Sequence, residues 1–269
     1  MAQALRLAEK GLYTTQPNPR VGCVLVCDGV QVAAGYHLKD GQGHAEAIAL
    51  AELEHHLANA EVNTEAQITA YVTLEPCSHQ GQTGPCVEAL IAAGITRVVA
   101  ACEDPNPEVA GSGLQKLKDA GVEVTLGLLE DQARESNKGF IKRHEQGAPW
   151  VTVKMAASLD GRTDMASGQS QWITTPAARA DVQRLRAAQC AIITGIGTQK
   201  MDDPSLTVRI THEDVSVEDE LRQPLRVVVD ARLQMSPEAR MFQQPGDTLV
   251  ATLDGPEQRD RSAALEAAG

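Results

Sequence analysis

Basic charge is what this chain has too little of. Its 24 Lys and Arg stand against 36 Asp and Glu, a net charge of -12. Binding to a phosphate backbone is driven by clustered cations, so this balance argues against a nucleic-acid partner and leaves the acidic surface to keep the chain soluble. The sequence also lacks any run of the roughly 18 apolar residues that a membrane helix needs. Residues 1–10 carry Glu9 where a signal peptide would have its apolar core, so a cytoplasmic protein is expected. No disulfide framework is expected in that reducing compartment. Of the six cysteines, Cys23, Cys27, Cys102 and Cys190 read as small apolar residues packed in strands. Cys23 and Cys27 share one face because they are four apart on a strand. What is present is an ordinary apolar share of 42% over 269 residues, enough for one or two domains with sizeable cores.

One constellation carries chemistry. His44-Ala45-Glu46 is followed by Cys77, directly behind Pro76, and by Cys86. One imidazole and two thiolates make three ligands for tetrahedral Zn²⁺ and leave the fourth position open to water, as catalytic zinc sites do and closed structural sites do not. Zinc lowers the pKa of water from about 15.7 to about 7, which makes a nucleophile for an amidine-like ring carbon available at neutral pH. Glu46 is placed to take the proton and return it to the ring nitrogen and the departing ammonia. The constellation predicts a hydrolytic deaminase. A lone His-x-Glu arises often by chance on an exposed helix turn, and two cysteines alone are more often buried apolar residues; the combination carries the reading. The eight residues between Cys77 and Cys86 exceed the spacing of nucleic-acid-editing deaminases, so residues 78–85 form a candidate substrate-contact loop.

Periodicity and turn chemistry place these residues on elements. A helix over 2–10 is followed by strands over 21–27 and 30–37, joined by the hairpin signal Asp28-Gly29. A helix over 44–57, a strand over 68–74, a helix over 85–93 with Pro85 in its first turn and a strand over 97–101 come next. The helix start at Cys86 favours thiolate over thiol. A helix over 113–120, a strand over 122–125 and one last helix over 131–146 complete a sheet with helices on both faces. Gly147-Ala148-Pro149 breaks that helix, giving a deaminase domain over 1–146, a linker over 147–150 and a second domain over 151–269.

The second domain opens on a buried-looking strand over 151–157. A helix over 175–188 follows, then a strand over 191–194 that runs into Gly195-Ile196-Gly197-Thr198, and a helix closes the chain at 265–269. A strand, glycine turn and helix start would hold a phosphate on backbone N–H groups. Two glycines fall short of the Gly-x-Gly-x-x-Gly fingerprint and read equally as a plain tight turn. Asn18, between two prolines, offers its amide to the edge of a flat heterocycle or merely makes a turn.

Pro17-Asn18-Pro19-Arg20-Val21-Gly22, Gly43-His44-Ala45-Glu46 and Thr73-Leu74-Glu75-Pro76-Cys77-Ser78-His79 resemble the deaminase half of the bifunctional riboflavin-biosynthesis deaminase/reductase family. Lys154-Met155-Ala156-Ala157-Ser158-Leu159-Asp160-Gly161-Arg162, Ser167-Gly168-Gln169-Ser170-Gln171-Trp172-Ile173 and Asp202-Asp203-Pro204-Ser205-Leu206-Thr207-Val208-Arg209 resemble its reductase half. The two motif sets stand in the family's order and cover nearly the whole chain. The resemblance implies a cytidine-deaminase-like three-layer αβα domain followed by a dihydrofolate-reductase-like α/β domain. It implies one zinc ion on His44, Cys77 and Cys86, with Glu46 catalytic. It implies a phosphorylated pyrimidine substrate near Asn18, His79, Lys154, Ser170, Arg186, Leu206 and Arg209, and NADPH near Ala156, Trp172, Thr198 and Asp202.

On the residues alone, Arg186 and Arg209 read as surface charges, Trp172 as a core aromatic, Asp202 as a cap before Pro204 and His79 as a residue supporting the ligands from behind. A cationic pair is nonetheless needed to hold a ribose phosphate in an acidic protein. The implied chemistry is deamination of 2,5-diamino-6-(5-phosphoribosylamino)pyrimidin-4(3H)-one and then NADPH-dependent reduction of the ribosyl group to ribityl, in an expected homo-oligomer. Three departures follow from the comparison with the family. Gln82 stands where the family has Lys or Arg, the chain starts late, at its first helix, and the family's C-terminal glycine-rich cofactor segment is missing, so the reductase domain is expected to be truncated. The alternatives are a deaminase whose second domain only binds ligand or supports oligomers, a non-enzymatic zinc-stabilised module, and a nucleoside or tRNA deaminase.

Overall fold

A computed structural model describes residues 1–58, 67–80, 84–168, 172–210 and 221–268. The chain divides into two compact units, Met1–Thr152 and Val153–Gly269.

The first unit is built on a five-stranded sheet. Strands β1 (Gly22–Cys27) and β2 (Val30–Tyr36) form the hairpin, turning at Asp28 and Gly29, both at positive φ as a tight two-residue hairpin turn requires. β3 (Ile68–Val72) pairs antiparallel with the other side of β1, and β4 (Arg97–Ala100) and β5 (Glu123–Leu126) extend the sheet in parallel, in the order β2-β1-β3-β4-β5. Helices α1 (Ala2–Ala8), α2 (Ala45–Ala58), α3 (Cys86–Ala92) and α4 (Ser112–Asp119) cover it, with α5 (Glu130–Ser136) and α6 (Lys138–Gln146) closing the unit.

Two apolar clusters lie on opposite faces. Cys23, Leu25, Ala70, Val72 and Val98 meet Ala49 and Leu53 of α2, Val87 and Leu90 of α3 and Leu117 of α4 on one. Leu74, Ala101 and Cys102 meet Ala133 of α5, with Leu5 of α1 and Phe140 of α6 packed against them, on the other. Parallel strands need cover on both faces, and these helices supply it. Two glycines permit the close approach: a Cβ on Gly22 would stand 2.0 Å from the Ala4 carbonyl oxygen of α1, and one on Gly35 2.4 Å from the Ala45 oxygen of α2.

The second unit holds a three-stranded parallel sheet, β6 (Ala191–Gly195), β7 (Leu225–Val229) and β8 (Thr248–Ala251), with β7 central. Helix α7 (Pro176–Ala187) precedes it, and the Thr175 hydroxyl accepts from the Ala178 N–H as its cap. α8 (Ile196–Asp202) follows β6 directly, and α9 (Pro256–Glu266) ends the unit. Val228, Leu206, Met235, Ala239 and Met241 form its core. Arg226 is fully buried beside them and is held by the Thr248 hydroxyl and by the carbonyls of Gln244, Pro245 and Gly246.

Four expectations are corrected. Residues 151–157 form no strand, and Val151, Val153 and Met155 are exposed; apolar composition alone does not make a strand, which needs a hydrogen-bonding neighbour. The helix over 131–146 is two helices, broken at Asn137, whose side chain accepts from the Arg20 N–H and donates to the Arg20 carbonyl, both at 2.8 Å. That amide serves β1's approach better than it would serve a continuous helix. Cys190 is exposed on the bend before β6, and Cys102 is buried just past β4, so neither lies in a strand. Pro85 caps α3 from outside, in extended backbone, so its first helical residue is Cys86. Strands β7 and β8 went unread, although Val227-Val228-Val229 is β-branched throughout.

Candidate active site

Three elements converge on one point. α2 starts straight after His44, whose carbonyl accepts the Ile48 N–H, so Glu46 falls in its first turn and points inward, 4% exposed. β3 runs out into the loop carrying Cys77. Cys86 opens α3, and its N–H reaches back to the Cys77 sulfur at 3.4 Å while the Val87 N–H binds the Cys77 carbonyl. His44 Nδ1 lies 3.3 Å from Cys86 Sγ and 3.5 Å from Cys77 Sγ, and the three donor atoms lie within 4.8 Å of one another. Tetrahedral zinc with N and S ligands at about 2.0 and 2.3 Å separates those atoms by about 3.5 Å. The donor set and its spacing fit zinc.

The electrostatics suit a cation and a proton carrier. Hydrogen bonds from Cys86 and His44 pull the Cys77 thiol down to about 4, while Cys77 and burial push Cys86 up. A bound cation would favour the thiolate form of both. The bond to Cys77 raises His44. Burial lifts Glu46 to about 7, with its carboxyl hydrogen-bonded to Cys86. A carboxyl at that value both accepts and donates a proton near neutrality.

Beside these lies a polar wall. Asn18 Nδ2 donates to Asp40 Oδ1 at 2.8 Å and lies 3.4 Å from His37 Nε2, while His37 Nδ1 meets the Gly43 carbonyl at 3.1 Å. The His37 ring stands edge-on to His44, centroids 5.5 Å apart. Burial, and to a lesser degree His44, keep the His37 pKa low. A neutral His37 with Nδ1–H on the carbonyl leaves Nε2 to accept from Asn18. His79 is exposed on the loop after Cys77, and Gln82 lies outside the described residues. Sequence reasoning missed His37 and Asp40; a polar residue ending a strand carries no signal until the fold sets it against Asn18. It also missed Glu75, which is 3% exposed.

In the second unit Arg186 and Arg209 meet around Thr207: Arg186 Nη1 donates to the Thr207 carbonyl and Arg209 Nη1 to its hydroxyl, both at 3.3 Å. Burial, and then Arg209, lower the pKa of Arg186. Leu206, next to Thr207, is buried with positive φ. Lys154 is exposed and Ala156 half-buried. Trp172 is exposed rather than a core aromatic, with the Arg179 guanidinium 4.4 Å above its ring. Thr198 and Asp202 lie exposed on α8, and Ser170 lies outside the described residues. A Cβ on Gly195 or Gly197 would meet nothing within 4 Å, so the chain's own packing does not require either glycine and the backbone there is open.

Fold and site define a class: a zinc deaminase domain of the cytidine-deaminase kind, followed by a separate α/β unit. Residues 1–102 match the cytidine and deoxycytidylate deaminase zinc-binding region, and residues 149–264 match the RibD C-terminal domain. The chain belongs to the RibD family of riboflavin-biosynthesis proteins, which joins a deaminase to a reductase and uses zinc and NADPH. It is 52% identical to riboflavin biosynthesis protein RibD of Escherichia coli K12 over 93% of this chain and 68% of that one. It is 51% identical to that of Haemophilus influenzae over 90% and 64%. The chain thus spans about two thirds of the length of these relatives. Acinetobacter baumannii RibD superposes with a TM-score of 0.86 at 46% identity over 98% of this chain and 70% of that one. A Thermotoga maritima diaminohydroxyphosphoribosylaminopyrimidine deaminase/5-amino-6-(5-phosphoribosylamino)uracil reductase gives 0.83 at 35% identity over 95% and 69%.

Proposed function

We propose that the chain deaminates 2,5-diamino-6-(5-phosphoribosylamino)pyrimidin-4(3H)-one and then reduces the ribosyl group of the product to ribityl with NADPH. The observation that carries the first step is the convergence of His44, Cys77 and Cys86 beside buried Glu46. His44, Cys77 and Cys86 would hold zinc, which would supply activated water at neutral pH. Glu46 takes one proton from the water and passes it to the ring nitrogen, then takes the second from the resulting hydroxyl and passes it to the leaving amine, so that the 2-amino group and water become a ring carbonyl and ammonia. Asn18, held by Asp40 and His37, lends its carbonyl oxygen to the ring edge, and His79 lines the loop on the open side.

For the second step, Arg186 and Arg209 are the cations for the sugar phosphate, with Lys154, Ser170 and Leu206 beside it. Ala156, Trp172, Thr198 and Asp202 would line NADPH, which would supply a hydride for the anomeric carbon of the opened sugar. The deaminase domain is 1–146, the linker 147–150 and the reductase domain 151–269. The protein is a cytoplasmic homo-oligomer without a nucleic-acid partner; among the described residues no helix is long and apolar enough to cross a membrane.

Metal analysis and an ammonia assay test the first step. One zinc per chain is expected, with ammonia release from the diaminopyrimidine that disappears in Glu46→Gln. Wild-type ammonia release by a folded Glu46→Gln would remove Glu46 from the mechanism. A second reading, a deaminase whose second unit serves only for binding or oligomerisation, draws support from the exposed sheet residues Ile193, Val229 and Leu249; NADPH oxidation by the chain decides against it.

A further inference from the structure

We infer that Glu75 is a positioning residue for the metal site, holding the loop on either side of Cys77 against the start of α4 and so fixing where the Cys77 sulfur stands. The inference rests on the zinc-deaminase reading above, in which Glu75 has no part.

Glu75 is 3% exposed, and its carboxylate answers backbone N–H groups. Oε1 accepts from Gly113 at 2.8 Å and Leu114 at 3.2 Å, both in the first turn of α4. Oε2 accepts from Gly111 at 2.9 Å and Asp104 at 3.1 Å. One side chain from the metal loop thereby gathers the whole segment 104–114, and its charge faces the N-terminal end of the helix, where an anion is favoured.

Two further ties run from the other side of Cys77. Ser78 Oγ lies 2.6 Å from Ser112 Oγ, and Lys116 Nζ donates to the Ser78 carbonyl at 2.9 Å. Between them Pro76 has no N–H to anchor the loop itself, and its carbonyl presses so close to α4 that a Cβ on Gly113 would stand 2.2 Å away. Cys77 is therefore clamped from Glu75 and from Ser78. A thiolate ligand must sit within about 0.2 Å of its place, and partners that orient a ligand without touching the metal change affinity by about 10- to 100-fold.

The test uses the full chain with Glu75→Gln. The amide keeps the shape of the side chain but turns an NH2 toward two of the four N–H donors, so it holds the segment with half the acceptors. Zinc affinity is read by competition with a chromophoric chelator. The thiolate-to-metal absorption of the Co²⁺-substituted protein reads ligand geometry, and far-UV circular dichroism reads the fold. The expected result is zinc binding weaker by about 10- to 100-fold and a shifted cobalt band in a protein that keeps its native dichroism. Wild-type zinc affinity and an unchanged cobalt band, with only a lower melting temperature, would mean a merely structural role and overturn the inference. Should Glu75→Gln fail to fold, Glu75→Asp, which keeps the carboxylate but withdraws it by one methylene from the four N–H groups, takes the same readouts: a smaller loss in the same direction is expected, and unchanged zinc affinity with an unchanged cobalt band overturns the inference. A wild-type chain that takes up no zinc would instead sink the metal-site reading itself.

Discussion

Three buried carboxylates in the first unit show how differently one group is used once water is removed. The Glu75 carboxyl oxygens accept from four backbone N–H groups. Glu46 is desolvated and lifted to about 7, which suits a proton carrier. Asp104 is raised by desolvation, with Glu75 adding to the shift, although it accepts one bond from the Asn106 N–H. Its sign sets a pH dependence. With the folded pKa above the ordinary 3.8, the native state holds more protons than the unfolded one between the two values, so stability falls as pH climbs through that window and stays lower above it. Asp104→Asn keeps the acceptor for Asn106 and removes the charge. It is expected to be more stable than the wild type in urea unfolding at pH 7, with the advantage vanishing as pH drops below about 3.8; a variant less stable at pH 7 would show that the charge is stabilised. What the sequence revealed at this scale follows from chemistry that is local in the chain: a His-x-Glu pair and prolines beside cysteines can be read from neighbours. Glu75 and His37 could not, because their partners lie at 104–114 and at 18 and 43, and nothing at their own positions marks the meeting.

At the scale of elements, the site depends on how α2 sits on the hairpin. β2 carries Gly35 where the start of α2 crosses it, with the Ala45 oxygen 2.4 Å and the Ala49 nitrogen 2.7 Å from where a Cβ would be. Both neighbours are backbone and cannot swing aside, so Gly35→Ala must displace the helix that places His44 and Glu46. Overpacking of this kind costs about 1–3 kcal/mol. The expected outcome is a lower melting temperature together with reduced zinc content and reduced ammonia release; full zinc occupancy at wild-type activity would show that α2 can move without disturbing the ligands. Periodicity gave the hairpin, α2, β3, α3, β4, α4 and β5 to within a few residues, because each shows its own pattern of apolar spacing and its own turn residues. It failed where an element is made by something distant. The break at Asn137 exists for Arg20, a hundred and more residues away in sequence. Residues 151–157 have the alternating Val151, Val153 and Met155 of a strand, but no strand pairs with them among the described residues.

At the scale of the molecule, two units with separate cores imply two chemistries that can be lost one at a time. His44, Glu46, Cys77 and Cys86 belong to Met1–Thr152; Arg186, Arg209 and the glycine turn belong to Val153–Gly269. The two arginines hold Thr207 between them. The cost of partly burying Arg186 so near a like charge is understandable if an anion is bound there. Arg186→Ala is therefore expected to raise KM for the phosphorylated substrate in NADPH oxidation by about tenfold or more, the worth of one charge-assisted hydrogen bond, while ammonia release continues at the wild-type rate. Glu46→Gln should do the reverse, abolishing ammonia release while NADPH oxidation with the already deaminated substrate persists. Steady-state assays of both half-reactions on both variants check this. A variant that lowers both activities together would mean that the two units work as one, and an Arg186→Ala protein with unchanged KM would move the phosphate site away from Thr207.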